Sequence, residues 1–300
     1  MPKAFQSTYY DPARLAKLGN LQLLARTVVE GYISGLHRSP FKGFSAEFAS
    51  YREYLPGDDL KHFDWKVFAR SDRRYVREYE EETNMTCTVV LDASGSMSYR
   101  SEGGISKLAY GCYLAAALTY LMVQQRDQVG LVIFDEAVRE RIPPRSSPAH
   151  MKYILDRLEG VAPKGRTGLA QCLHPIVESL KRRGLVIIIS DLMDEPDAVM
   201  NLFQHFRHER HEIIVFHTLD NAEMEFPFQG LIEFRDLETR ERMQLRAEVI
   251  REAYLQKFNE FVERYRRDCT KAKIDYQLVN TQMPFERMLA AYLHKRETSG

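Results

Sequence analysis

Asp92, Ser94 and Ser96 stand at alternate positions directly behind the apolar run Thr86 to Leu91. Oxygen side chains at alternate positions of a turning loop can point to one centre. A donor set made only of oxygens suits a hard divalent cation, Mg²⁺ before Mn²⁺ or Ca²⁺. Two further segments offer donors of the same kind. Thr167 lies in Gly165-Arg166-Thr167-Gly168, at a junction between a loop and a helix. Asp191 follows a second apolar run, Leu185 to Ile189, with Asp194 as a spare carboxylate nearby. A single carboxylate assisted by hydroxyls leaves a cation under-neutralised, with an open position. An acidic group from a partner can complete that shell.

These donors converge only if the elements that carry them do. Thr86 to Leu91 and Leu185 to Ile189 are continuous apolar runs of strand length, as in a sheet buried on both faces. Val129 to Phe134 and Glu212 to His217 read as further strands, and Tyr276 to Val279 as the last one. Helical stretches separate them: Lys107 to Gln125, Met151 to Leu158, Leu169 to Lys181, Ala198 to His208, Ala247 to Lys273 and Phe285 to Lys295. Ala137 to Ile142 follows its neighbour after a very short connection, so it pairs antiparallel. The alternation predicts an α/β fold: a six-stranded, mostly parallel sheet with one antiparallel edge strand and helices on both faces. In such sheets ligands bind beyond the carboxyl ends of the strands, which is where Asp92 and Asp191 fall. A hairpin, Leu231 to Arg235 with Arg242 to Leu245, is an insertion at about 230–245.

Residues 1–83 form a different segment, and 84–300 the α/β domain. The segment begins with a helix over Asp11 to Leu36, in which Leu15, Leu18, Leu21 and Leu24 fall near one face. A turn-rich stretch follows, with Pro56-Gly57-Asp58-Asp59 as a tight turn. Arg73 to Tyr79 reads as a strand.

Composition narrows the function classes. The 300 residues hold 42 Lys and Arg against 42 Asp and Glu, so the chain lacks the basic excess of a bulk nucleic-acid binder. No apolar run approaches the ~18 residues of a membrane span, and no apolar signal segment is visible at the N-terminus. Four cysteines without metal-like spacing fit a reduced, cytoplasmic compartment. There is no G-x-x-x-x-G-K-[ST], no G-x-G-x-x-G behind a strand and no G-x-S-x-G, so neither a P-loop, a dinucleotide site nor a hydrolase elbow is expected.

The Asp92, Ser94, Ser96, Thr167 and Asp191 set resembles the metal-ion-dependent adhesion site of von Willebrand factor A domains. The resemblance implies a von Willebrand factor A-like (Rossmann-like) doubly wound fold. It makes Asp92, Ser94 and Ser96 the first metal loop, Thr167 the second and Asp191 the third. One departure is Leu192, where a Gly often follows the third-loop Asp. Three further blocks resemble the domain of unknown function 58 family. The first is Arg52-x-Tyr54-x-Pro56-Gly57-Asp58-Asp59 with Asp64-Trp65-x-x-x-Ala69-Arg70. The second joins Leu219-Asp220-x-Ala222-Glu223-x-Glu225-Phe226-Pro227 to Phe234-x-Asp236-x-Glu238-Thr239. The third is the tail, with Tyr276 and Leu293-x-x-Arg296. The resemblance covers roughly residues 30–297. It implies a bacterial or archaeal protein paired with a MoxR-type AAA+ ATPase.

The expectation is therefore a metal-dependent protein-binding adaptor or co-chaperone, not an enzyme. Its partner would be a MoxR-type ATPase, a client with an exposed acidic residue, or both, with no nucleic acid and no small-molecule substrate. Two other readings compete. A Mg²⁺-dependent phosphatase would use Asp92 as nucleophile, but the position two residues on is Ser94 instead of a carboxylic acid, and Lys164 is only a distant candidate cation. A structural subunit would carry the metal loop as a vestige. Two secondary features are Asp58, Asp59 and Asp64 around Trp65, as a second recognition surface, and His205, His208 and His211, which read better as a cationic helix end than as a zinc site.

Overall fold

A computed structural model describes residues 12–15, 19–37, 51–53, 68, 75–77, 85–180 and 183–299. They fall in two compact units, residues 33–84 and residues 1–32 with 85–300. In the smaller unit, β1 (Tyr51–Glu53) pairs antiparallel with β2 (Tyr75–Arg77). The Asp58, Asp59, Asp64 and Trp65 block lies outside the described residues.

The N-terminal helix expected over Asp11 to Leu36 is two helices, α1 (Pro12–Leu15) and α2 (Leu21–His37). Gly19 interrupts them at φ +65°, a left-handed conformation that glycine adopts without strain. Asn20 then starts the second helix by accepting the Leu23 amide on Oδ1 at 2.8 Å. Leu21, Leu24, Ala25, Val28 and Val29 are buried, the spacing of one helical face. Leu18 lies outside the described residues.

The larger unit is built on a six-stranded sheet. Its strands are β3 (Thr86–Asp92), β4 (Gln128–Phe134), β5 (Val138–Arg145), β6 (Leu185–Ser190), β7 (Glu212–Leu219) and β10 (Asp275–Asn280). Their spatial order is β10-β7-β6-β3-β4-β5. All neighbours are parallel except β4 and β5, which form the expected antiparallel edge. Every side chain from Cys87 to Asp92 is buried, as are all six of β6, because helices cover both faces.

The helices are α3 (Lys107–Gln124), α4 (Pro148–Glu159), α5 (Leu169–Ser179), α6 (Pro196–His208), α7 (Asn221–Glu225), α8 (Ala247–Lys271) and α9 (Glu286–Ser299). One core joins Val90, Ile188 and Val215 to Leu173 of α5, Phe203 of α6 and Tyr265 of α8. On the other face α3 lies so close that a Cβ added to Gly111 would stand 3.0 Å from Leu91 and 3.2 Å from Ile189. That alternation of Val90 and Leu91 is the two-residue period of a strand. Fourteen residues of α3 are buried, so it is the most enclosed helix among the described residues, as its nearly uniform apolar sequence requires.

A separate antiparallel hairpin, β8 (Leu231–Arg235) and β9 (Arg242–Arg246), is inserted between β7 and β10. Phe234 packs it down: its ring stacks on Phe226 at 5.8 Å and meets Phe228 edge-on at 6.0 Å, while Tyr254 of α8 closes on Phe226 at 4.6 Å. The strand order reverses between β3 and β6. Chain leaving β3 proceeds to β4 on one side, and chain returning from β5 crosses to β6 on the other. That crevice is the place where an open α/β sheet binds its ligand.

Candidate metal centre

Asp92 ends β3 at that crevice and is fully buried. Its Oδ2 accepts the Ser190 hydroxyl from the adjacent end of β6 at 2.6 Å, and its Oδ1 accepts the Ser94 amide at 2.9 Å. The Ser94 and Ser96 hydroxyls are 3.1 Å apart. Backbone bonds fix this loop: Ala93 N donates to Phe134 O at 2.7 Å, and Gly95 N to Gly165 O at 3.0 Å. The last bond ties the Thr167 loop to the Asp92 loop. Burial, and then the nearby charge of Asp191, push the Asp92 carboxyl up from 3.8 to about 7. Its negative charge is thus poorly compensated by the chain.

Asp191 is also fully buried, one residue beyond β6, and the Ser96 hydroxyl lies against it. Sequence reasoning missed its main partner. Lys107, at the start of α3, donates from Nζ to Asp191 Oδ2 at 2.8 Å and to Glu223 Oε1 at 2.7 Å, with only 1% of its side chain exposed. Burial alone would raise Asp191, but the Lys107 charge and hydrogen bond outweigh it and hold the carboxyl below its ordinary value. Burial likewise opposes the Lys107 charge, and the two carboxylates overcome it and raise its pKa. Glu223 stays raised by burial despite Lys107. A signal for Lys107 was present in the sequence. It is the only charged residue of α3, and it sits at the helix N-terminus, where a cation opposes the macrodipole.

Glu223 is held in turn by a capping box: its Oε2 accepts the Asp220 amide at 2.8 Å, while Asp220 Oδ1 accepts Ala222 N at 2.9 Å. The block Leu219-Asp220-x-Ala222-Glu223 therefore orients one ligand of a buried ammonium.

The third loop explains its own departure. Leu192 has φ +53°, the region that favours glycine, and its side chain is completely buried in the core. Its amide donates to Ser190 Oγ at 3.0 Å, and its carbonyl accepts the Tyr265 hydroxyl at 3.2 Å. Asp194 turns away from Asp92: its Oδ2 accepts Ala170 N in the first turn of α5 at 3.2 Å, and its Oδ1 accepts Glu195 N at 2.7 Å. Of the two carboxylates, Asp191 is the one beside Asp92. His217 on β7 supports it from behind. Its Nε2 donates to the Asp191 carbonyl at 2.9 Å, so its Nδ1 accepts from the Tyr276 hydroxyl at 2.6 Å. Burial lowers the His217 pKa to about 4, which keeps the ring neutral in that relay.

Thr167 has a partner that its own sequence neighbourhood does not show. Glu238, in the turn of the β8–β9 hairpin, accepts both the Thr167 hydroxyl at 2.8 Å and the Thr167 amide at 3.2 Å on Oε1. Asp236 shapes the turn by accepting the amides of Glu238 at 2.7 Å and Thr239 at 2.9 Å. Those two bonds, Thr239 first, hold the Asp236 carboxyl below its ordinary range. The spacing Phe234-x-Asp236-x-Glu238-Thr239 thus reads as anchor, turn and reaching carboxylate.

Among the described residues, no three His, Cys, Asp or Glu side chains form a metal-binding cluster. A cation here would rest on Ser94, Ser96 and Thr167 hydroxyls with Asp92 and Asp191. That set fits a hard divalent cation: it is all oxygen, and among the described residues Asp92 has no counter-charge, since Lys107 is shared by Asp191 and Glu223. The histidines behave otherwise. His205 Nδ1 lies 3.0 Å from His174 Nδ1 on α5, His208 is exposed, and His211 is buried edge-on to Phe206. They do not gather. The four cysteines are free and buried.

Known proteins resemble the chain in part. An uncharacterised protein of Mycobacterium tuberculosis (strain ATCC 25618 / H37Rv) is 28% identical over 243 residues, 79% of this chain and 75% of that one. One from Mycobacterium bovis matches equally. Among solved structures, the conserved hypothetical protein BatB from Bacteroides thetaiotaomicron covers 71% of this chain and 99% of its own at 17% identity and a TM-score of 0.49. An aerotolerance-related membrane protein from Bacteroides fragilis covers 70% and 99% at 16% identity and a TM-score of 0.47. No helix among the described residues is long and apolar enough to cross a membrane. The profile described as "Protein of unknown function DUF58" matches residues 50–264, and the chain belongs to that family.

Proposed function

We propose that this protein is a metal-dependent binding module, a von Willebrand factor A-like adaptor or co-chaperone. Asp92, Ser94, Ser96, Thr167 and Asp191 would hold Mg²⁺, and a partner's acidic side chain would take the open position. The observation that carries this reading is Asp92. It is a fully buried carboxyl raised to about 7, set among hydroxyl donors at the crevice of the sheet, with no ion pair to it among the described residues. A bound divalent cation supplies the missing charge and a strong electrophilic site for a carboxylate. The chain's own residues do the rest. Ser190 and the Ser94 amide orient Asp92, Lys107 and His217 fix the third loop, and the Gly95–Gly165 bond holds the second loop in place.

The ATPase partner of MoxR type comes from the family resemblance, and ATP hydrolysis there would remodel a client that this protein selects. A cytoplasmic setting agrees with the free, buried cysteines. A phosphatase reading is less well supported. Ser94 stands where a general acid would be needed, and Lys107 is enclosed between Asp191 and Glu223, so it presents no ammonium to a phosphoryl group.

Affinity capture from lysate of the native host tests the proposal. Tagged wild type in millimolar Mg²⁺ is compared with wild type in EDTA and with Asp92→Ala in Mg²⁺, circular dichroism showing that the variant is folded. An ATPase or client retained only by wild type with Mg²⁺ is the expected result. The same partners in all three lanes would remove the metal loop from recognition.

A further inference from the structure

We propose that the β8–β9 hairpin is a displaceable cap over the candidate metal loop, pinned by Glu238 in the place a partner's carboxylate would take. The inference rests on the binding-module reading above and adds its regulation.

Three observations carry it. First, a carboxylate of the chain, Glu238, already engages a candidate ligand of the cation. Its carboxylate accepts from Thr167, the hydroxyl donor of the second loop, through both Oγ1 and the amide. Second, the turn lies directly on the first loop. A Cβ added to Gly95 would stand 2.9 Å from Leu237 O and 3.4 Å from Glu238 Cγ. Asp92 and Ser94 are completely buried in this arrangement, so an incoming side chain cannot reach them while the turn is seated. Third, the hairpin is weakly built. Among the described residues it pairs only with itself, and apart from Ile232, Phe234, Glu238 and Leu245 its residues are exposed. Two-stranded hairpins of this kind are marginal on their own, so a few contacts decide whether one stays down.

Charge points to the class of occupant. Lys164 and Arg166 are exposed on the second loop, Arg166 close enough to act on the Asp236 carboxyl of the turn, while Arg242 of the hairpin is paired with Glu233 at 3.3 Å. The two second-loop cations attract an acidic segment, and a carboxylate from that segment would displace Glu238 by like-for-like exchange. Phe234 remains as the hinge-side anchor through its contacts with Phe226 and Phe228.

Hydrogen–deuterium exchange on the full chain, without metal, tests the cap. In wild type the amides of residues 231–246 should exchange much faster than those of β3 and β6. Glu238→Ala should speed exchange of these amides and of the Thr167 amide by about tenfold, the effect of losing a hydrogen bond to a charged group. Exchange across β3 and β6 should stay unchanged. Gly95→Ala is a second route to the open form that keeps the Glu238 carboxylate, because the added methyl would stand 2.9 Å from Leu237 O and 3.1 Å from Gly165 O and so crowds the seated turn. Hairpin amides as protected as β3, or unchanged exchange in both variants, would overturn the cap. A binding arm uses Mn²⁺ with the blocked tripeptide acetyl-Gly-Glu-Gly-amide, followed by relaxation of the peptide protons. Glu238→Ala should bind it at least tenfold more tightly than wild type, and equal affinity would overturn the competition. If Mn²⁺ binds neither protein, the metal reading fails by itself, and the exchange comparison still decides the cap.

Discussion

Lys107→Met should destabilise the protein by about 3–5 kcal/mol, the cost of breaking a buried ion pair by removing one partner. The Lys107 ammonium is enclosed between Asp191 and Glu223 at 2.8 and 2.7 Å. Methionine fills the volume but leaves Asp191 buried without its cation, beside a second buried acid, Asp92. Chemical denaturation at neutral pH measures the loss. Adding Asp191→Asn to Lys107→Met should restore a large part of it, because the uncompensated charge is removed with its partner. If Lys107→Met alone loses less than about 1 kcal/mol, as an exposed pair would, the ammonium is not holding the third loop.

Asp92→Asn should have the opposite sign in EDTA. The Asp92 carboxyl is raised from 3.8 to about 7, so its proton is held more tightly in the folded state than in the unfolded chain. Stability therefore falls as pH rises from about 4 to 7, and above 7 the whole penalty is present, about 4 kcal/mol for a shift of this size. Asparagine removes the charge but loses one acceptor for Ser190 or Ser94, worth about 1 kcal/mol. A net gain of about 3 kcal/mol at pH 8 is expected from urea denaturation in EDTA. Millimolar Mg²⁺ should stabilise wild type by about 3 kcal/mol if it exceeds its dissociation constant a hundredfold, and leave Asp92→Asn unmoved. A variant less stable than wild type in EDTA would mean that the chain itself compensates Asp92. His217 works in the other direction. Its pKa is depressed to about 4 from 6.5, so its contribution is present above 6.5 and is lost as pH falls towards 4. In metal-free wild type the two groups oppose each other over the same window, and Asp92→Asn should expose the acid sensitivity that His217 confers.

Much of the framework was legible because its signals are local. Thr86 to Leu91 and Leu185 to Ile189 announce strands by composition. The short link before Val138 announces the antiparallel edge, and the residues just after the two central strands are the ones that meet at the crevice. The break between α1 and α2 was missed because the leucine spacing continues across Gly19 and hides the interruption. What the chain could not show was long-range pairing. Lys107 meets Asp191 and Glu223 from 84 and 116 positions away, and Glu238 meets Thr167 from 71. Glu223 and Glu238 stood out in blocks shared with the family, but their roles depend on which loop the fold brings to them. Leu192 shows the reverse case. It stands where a Gly often follows the third-loop Asp, yet its side chain fills the core while its backbone keeps the left-handed turn.

The most direct test of the central claim is a Mn²⁺ titration of the purified chain followed by electron paramagnetic resonance, with Mg²⁺ as competitor. Wild type should take up one Mn²⁺ that Mg²⁺ displaces, and folded Asp92→Ala should take up none. Equal Mn²⁺ binding by both proteins, or none by wild type, would contradict a cation held by Asp92, Ser94, Ser96, Thr167 and Asp191.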